Sequence, residues 1–268
     1  MRSSDLRIPA HLLPKIGGMA TMPSRAATLR MALPGILAQV DRLYLYLDRQ
    51  SAVPPDLASM PKLVCMLPKE GRRSLGTAGK FLALSVHPEP CLFFGFDDDI
   101  AYAPGYVALL AGALRRHHYR AIVGLHGAVY HEPLRSYVKD RAVLRFQKAL
   151  RFDVVVDELG TGVMAFHSCA LDIEPQRWTH PNMADLHLMI EAVRQETPRI
   201  CARRPVGMAT PLAEDQDDSL YRQSLLDDSA ETAMLQAAMG HYPGRWCSSS
   251  RNTHTASCGS PTSSAAGT

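Results

Sequence analysis

The chain has no C-x-x-C pair among its six cysteines, Cys65, Cys91, Cys169, Cys201, Cys247 and Cys258, and that absence removes a zinc ribbon and a redox dithiol from consideration. Four of the six fall in apolar runs, so buried free thiols of a reducing cytoplasm are expected rather than a disulfide framework. Nor does any window approach the roughly 18 consecutive apolar residues of a membrane span. The first fourteen residues are polar and twice broken by proline, without the apolar core of a secretory leader. A strong charge of one sign is missing too: 29 Lys+Arg against 26 Asp+Glu gives a formal net charge of +3, too slight to argue for a nucleic-acid partner. No internal repeat is visible. The expectation is a soluble, cytoplasmic protein with no transmembrane segment and no nucleic acid, with peripheral contact at the inner face of the membrane left open.

What the chain does have is enough apolar material for a full core, 46% of 268 residues. One α/β domain is expected over 14–246, preceded by an extension over 1–13. The tail over 247–268 is rich in Ser and Thr with almost no apolar anchors and is expected to be disordered. Ile16–Met22 reads as a buried strand, followed by a helix start with Ser24 as N-cap, and Pro34 should kink or divide that helix. Leu43–Leu47 and Lys62–Met66 read as further strands. Cys91–Phe96 is a continuous apolar run that suits a central strand covered on both faces, and it stops at Asp97. A helix opening at Pro104 and running to about His117, then strands at Ala121–Leu125, Gly160–His167 and Arg199–Ala202, complete an alternation that implies a three-layer α/β fold with a mostly parallel mixed central sheet. The basic segment between Gly127 and Val156 reads as loop-rich.

Asp97, Asp98 and Asp99 therefore stand at the carboxyl end of a buried strand. In extended chain Asp97 and Asp99 share one side, about 6.5–7 Å apart, with Asp98 on the other. Hard carboxylate oxygens so placed suit a divalent cation that neutralises a nucleoside diphosphate leaving group. The plain alternative is an acidic turn at a helix start. Crowding three acids without a counter-cation is costly, which favours the metal site.

Together with this triplet, the runs Met-Pro-Ser-Arg25, Val-Gly-Leu-His-Gly127, Leu-Gly-Thr-Gly162 with Ala-Phe-His167, and Pro-Asn-Met-Ala-Asp185 resemble bacterial glycosyltransferases of the GT-A fold, near the family 2 type. The resemblance spans about residues 15–220. It implies a nucleotide-sugar donor, commonly a UDP-sugar, Mn²⁺ or Mg²⁺ at the D-x-D acids, and a saccharide or lipid-linked acceptor. It further implies Asp97 and Asp99 on the metal, with Asp97 and Asp98 counted in the donor site. Thr21, Pro23 and Arg25 would wall the nucleotide pocket, and Asp48 and Lys80 would meet base or ribose. Asp185 resembles the general base of inverting members, although Asn182 and Asp185 also have the spacing of a helix capping box. The activity implied is hexosyl or N-acetylhexosaminyl transfer with inversion.

His167 and His126 each end an apolar strand; His167 is the candidate to complete the metal shell, against a plain hydrogen-bonded histidine. Gly160 and Gly162 mark either a turn or a close acceptor approach. The basic residues from Arg135 to Arg151 read as a solvated helical face or as a surface for a phosphorylated carrier, and Arg203-Arg204 as a diphosphate clamp. Two rival functions remain: a sugar-phosphate nucleotidyltransferase, for which Gly17-Gly18 followed by Arg25 would have to serve as phosphate loop, and a non-catalytic saccharide- or nucleotide-binding domain.

Overall fold

The computed structural model describes residue 9 and residues 12–180, 182–213 and 220–247. Lys15–Thr21 forms β1, Ala26–Leu37 α1, Arg42–Leu47 β2, Pro55–Ala58 α2, Leu63–Met66 β3 and Leu82–Val86 α3. Then come β4 (Leu92–Phe96), β5 (Ile100–Tyr102), α4 (Tyr106–Arg116), β6 (Ile122–Gly124), β7 (Gly127–Tyr130), β8 (Arg141–Leu144), β9 (Val154–Val155), β10 (Glu158–Leu159) and β11 (Val163–His167). The last elements are α5 (Ala184–Arg194), β12 (Arg199–Cys201), β13 (Ala209–Pro211), α6 (Leu220–Leu226) and α7 (Ser229–His241).

The protein is an α/β structure whose central sheet has eight strands in the order β3-β2-β1-β4-β11-β6-β12-β9. All run parallel except β11, which is antiparallel to β4 and β6, and the edge strand β9, antiparallel to β12. The apolar run of β4 is fully buried because alternation sends its side chains to two different layers. Leu92, Phe94 and Phe96 pack with Leu33 and Ile36 of α1 and Leu110 and Leu114 of α4. Phe93 packs on the opposite face with Phe81, Trp178 and Leu188 of α5. Each buried phenylalanine contributes on the order of 2 kcal/mol, so β4 anchors the fold and the acids behind it. The other face of α5, Leu186, Met189 and Val193, packs with Leu235 and Ala238 of α7; the helical spacing predicts this face.

Several expectations need correcting. Ser24 caps no helix; it lies within a 3-10 turn over Pro23–Arg25 that precedes α1. The helix α1 runs unbroken past Pro34, which stands in its last turn. Leu13, expected in an extension outside the fold, is buried in the core. The segment 127–156 is loop-rich, as expected, but it is also threaded by short strands, Gly127–Tyr130, Arg141–Leu144 and Val154–Val155; β7 and β8, with β10 just beyond, form a second, three-stranded antiparallel sheet in the order β10-β7-β8. Arg199–Cys201 is not the last strand, since β13 pairs with β5 and two helices follow. The expected disordered tail, apart from Cys247, lies outside the described residues. Among the described residues Cys65, Cys91, Cys169, Cys201 and Cys247 are free thiols, and no helix is long and apolar enough to cross a membrane.

Candidate functional site

Because β1 and β4 pair in parallel, with Met19 opposite Phe96, the residues that follow each strand emerge at one edge of the sheet. Thr21 ends β1 and donates its hydroxyl proton to Asp98 Oδ2 at 2.5 Å. The exposed Pro23 opens the 3-10 turn that brings the buried Arg25 back toward the acids, 3.3 Å from Asp99 Oδ2. Asp48 follows β2 on the same edge: its backbone N–H donates to the Thr21 carbonyl at 2.8 Å, and its buried carboxylate accepts from Ser74 Oγ, with Arg49 Nε at 3.5 Å.

Lys80 arrives from the other face of the sheet. The 3-10 segment Gly76–Phe81 lies directly on β1, and Gly18 makes room for it: a Cβ there would stand 2.3 Å from the Lys80 carbonyl oxygen. The Lys80 side chain is buried, with Nζ 2.5 Å from Asp97 Oδ1 and 3.3 Å from Thr161 Oγ1. The backbone of residues 161 and 162 closes the arrangement. Tyr102 Oη accepts the Asp97 N–H at 2.8 Å and donates to the Gly162 carbonyl at 2.6 Å. Thr161 N–H donates to Asp185 Oδ1 at 2.8 Å. One chain of polar contacts thus runs Asp97–Lys80–Thr161–Asp185.

The acids differ in environment. Asp98 is 9% exposed, and burial pushes its carboxyl up to about 7; the hydroxyl of Thr21 acts the other way, while Asp99 and Asp97 add to the rise. Burial also raises Asp99, reinforced by Asp97 and opposed by Arg25. Asp185 is raised by burial. The crowding that seemed to demand a bound cation is therefore answered within the protein by Lys80, by Arg25 and by the tendency of Asp98 to hold a proton.

The placement of the acids departs from the extended-strand picture. They occupy the turn between β4 and β5, and their partners divide them as Asp97 against Asp98 and Asp99, rather than as alternating sides of one strand. His167 does not join them. It pairs with Leu92 at the start of β4, roughly 13 Å down the strand from Phe96; its Nδ1 accepts the Cys169 N–H at 3.0 Å. Asp185 caps nothing: α5 begins with Met183 as N-cap and no side-chain capping bond, while Asn182 Oδ1 accepts from Thr77 N–H at 3.4 Å. Gly17 and Gly18 lie inside β1 and form no phosphate loop. Arg204 is buried, donating to the carbonyls of Ala202 and Arg145, so it clamps backbone.

Thr21, Arg25, Asp48, Lys80, Asp97, Asp98, Asp99 and Asp185 are thus brought to one edge, Pro23 shapes the turn beside them, and His167 is excluded. Thr161, Tyr102 and Ser74 were missed by sequence reasoning. Thr161 stands inside the Leu-Gly-Thr-Gly162 run, which is its only signal; Tyr102 and Ser74 have none.

Among the described residues no three His, Cys, Asp or Glu side chains converge as a preformed metal shell. Asp97 and Asp99 nevertheless fit the way Mg²⁺ or Mn²⁺ is held beside a substrate phosphate, by one or two carboxylates. Their side chains are 40% and 33% exposed, and each engages one oxygen in its ion pair. The chain matches no protein-family model and no curated protein at a significant level.

Proposed function

We propose that the protein is a GT-A type glycosyltransferase that moves a hexosyl or N-acetylhexosaminyl group from a nucleotide sugar, a UDP-sugar by preference, to a hydroxyl of a saccharide or lipid-linked acceptor with inversion. The observation that supports it is the contact chain from Asp97 through Lys80 and Thr161 to Asp185. It joins a donor-side acidic turn to a half-buried carboxylate of raised proton affinity, at the carboxyl ends of β1 and β4 where α/β sheets commonly take ligands.

Asp97 and Asp99 would hold Mn²⁺ or Mg²⁺, which when bound supplies positive charge to the departing diphosphate. Thr21, Arg25 and Asp48 line the nucleotide side. Lys80 fixes the Asp97 carboxylate and adds its own charge beside the diphosphate. Asp185 takes the proton of the acceptor hydroxyl as its oxygen bonds to the anomeric carbon; the bond from that carbon to the phosphate oxygen breaks, and its electron pair leaves with the nucleoside diphosphate.

The test is a thermal-shift titration with UDP-, GDP- and CMP-sugars, with and without Mn²⁺. Metal-dependent stabilisation of about 2.7 kcal/mol is expected at a hundredfold excess over Kd, and it should vanish in Asp99→Ala. Full metal-dependent donor hydrolysis or transfer by Asp99→Ala overturns the assignment.

A further inference from the structure

The basic run that ends at Arg151 is not the flank of a helix. It leads to the far edge of the sheet, where Leu150 and Arg204 exchange backbone hydrogen bonds at 3.0 and 2.9 Å and β9 pairs with β12. A cavity of about 430 Å³ opens there, floored by Leu109 and Gly112 of α4 and ringed by Arg116, Arg151, Arg203 and Arg204. Arg116 is committed to Asp153, 3.0 Å away. Arg151 and Arg203 are exposed, and Arg145 and Lys148 adjoin them along the same stretch of chain. Five exposed cations, Arg116, Arg145, Lys148, Arg151 and Arg203, against Asp153 leave this patch at 5 − 1 = +4, more than the +3 of the entire chain. The positive charge is therefore concentrated, not spread.

A second observation separates the patch from an ordinary solvated face. Phe152 is 72% exposed, Val206 66% and Val155 59%. Phe152 follows Arg151 directly, Val206 comes two residues after Arg204, and Val155 lies on the edge strand. A soluble polyanion has nothing to offer three bared apolar side chains. An anionic bilayer has both phosphates for the arginines and an acyl boundary for the aromatic and aliphatic groups.

We propose that this edge docks the protein on an anionic lipid bilayer, with Arg151 and Arg203 on lipid phosphates and Phe152 and Val206 entering the headgroup region. The docking stands independently of the reaction proposed above. Its placement also suits that reaction, because β12 and β4 run in the same direction, so the patch and the acidic turn share the carboxyl edge of the sheet. They are three strand positions apart, roughly 15 Å, close enough for a lipid-borne acceptor to reach the acids.

Co-sedimentation of the full chain with vesicles tests it. Binding is expected to phosphatidylcholine vesicles containing about one-third phosphatidylglycerol, to fade with added salt, and to be absent from pure phosphatidylcholine. Removing each arginine, as Arg151→Gln or Arg203→Gln, should weaken binding about fivefold. The double variant Phe152→Ser, Val206→Ser should lose vesicle binding yet bind heparin as the native protein does. All four side chains are exposed, so unchanged circular dichroism is expected and checks the fold. Failure to sediment with the anionic vesicles overturns the proposal. So does a Phe152→Ser, Val206→Ser protein that sediments undiminished while heparin displaces it, since the surface would then be a soluble-polyanion site.

Discussion

Lys80 and Asp97 form an asymmetric ion pair: the ammonium and the carboxylate stand 2.5 Å apart, but the lysine side chain is 2% exposed and the aspartate 40%. The two halves therefore cost different amounts to remove. Asp97→Asn leaves a buried ammonium without its counter-ion, a loss of about 3 kcal/mol or more. Lys80→Met leaves a carboxylate that water reaches, a loss of about 1 kcal/mol. Urea unfolding of the two variants should show that order; equal losses, whether both small or both large, would mean that the two partners are alike in their exposure and the pair is not asymmetric.

Gly162 controls where the same carboxylate can lie. A Cβ at that position would stand 1.8 Å from Asp97 Oδ2, while one at Gly160 would meet His126 Cβ at an ordinary 3.4 Å. The backbone at 162 cannot retreat freely, because its carbonyl accepts from Tyr102 Oη. Gly162→Ala should cost about 1–3 kcal/mol of stability through overpacking and weaken Mn²⁺-dependent nucleotide-sugar binding at least about tenfold. Gly160→Ala should be close to neutral in both. Calorimetric titration of the pair decides it.

Which parts of this were legible beforehand follows from how each residue declares itself. The apolar run before Asp97 could be placed because a strand buried on both faces has no polar interruptions, and α5 could be read from its 3.6-residue spacing. His167 was misplaced for a reason of direction. Its strand has ordinary strand composition, and nothing in composition says that β11 runs against β4, which carries its last residue to the opposite edge from the acids. The strands between 127 and 159 were lost because β9 and β10 are two residues long and β8 carries Arg141, too short for a period to appear. Lys80 was placed near the nucleotide by resemblance, but its burial against Asp97 depends on Gly18 across the sheet, a relation that no local pattern contains.

Glu158 carries a pH signature. It is buried with both oxygens in use, accepting from Tyr130 Oη and Tyr137 Oη at 2.8 Å each, with Arg141 Nη1 at 3.5 Å. Burial, reinforced by Asp185, pushes its carboxyl from the ordinary 4.5 up to about 7, against the pull of Arg141. The folded state thus binds the proton more tightly than the unfolded chain. Its contribution is complete below the unfolded value of 4.5 and is lost as pH rises through about 7. The full loss is about 3 kcal/mol. Urea midpoints measured across that window should fall in the native protein and fall by correspondingly less in Glu158→Gln. Parallel slopes would place the titration elsewhere.

Asp185 offers the sharpest separation of binding from chemistry. In Asp185→Asn the amide oxygen can still accept the Thr161 N–H that the carboxylate accepts at 2.8 Å, so the 161–162 backbone and the Asp97 arrangement beside it should persist. Nucleotide-sugar binding is then expected within about twofold of the native value, while transfer falls by about 10²–10⁴, the usual contribution of a positioned base. The native rate should rise with pH on an acid limb above the ordinary carboxylate range, since burial raises Asp185, and that limb should be gone from whatever residual rate the asparagine variant retains. Steady-state transfer across pH, alongside donor calorimetry, measures both quantities on the same preparations. Transfer retained within about threefold, or an acid limb that survives the substitution, would move the base to another residue and leave Asp185 with the task of holding Thr161.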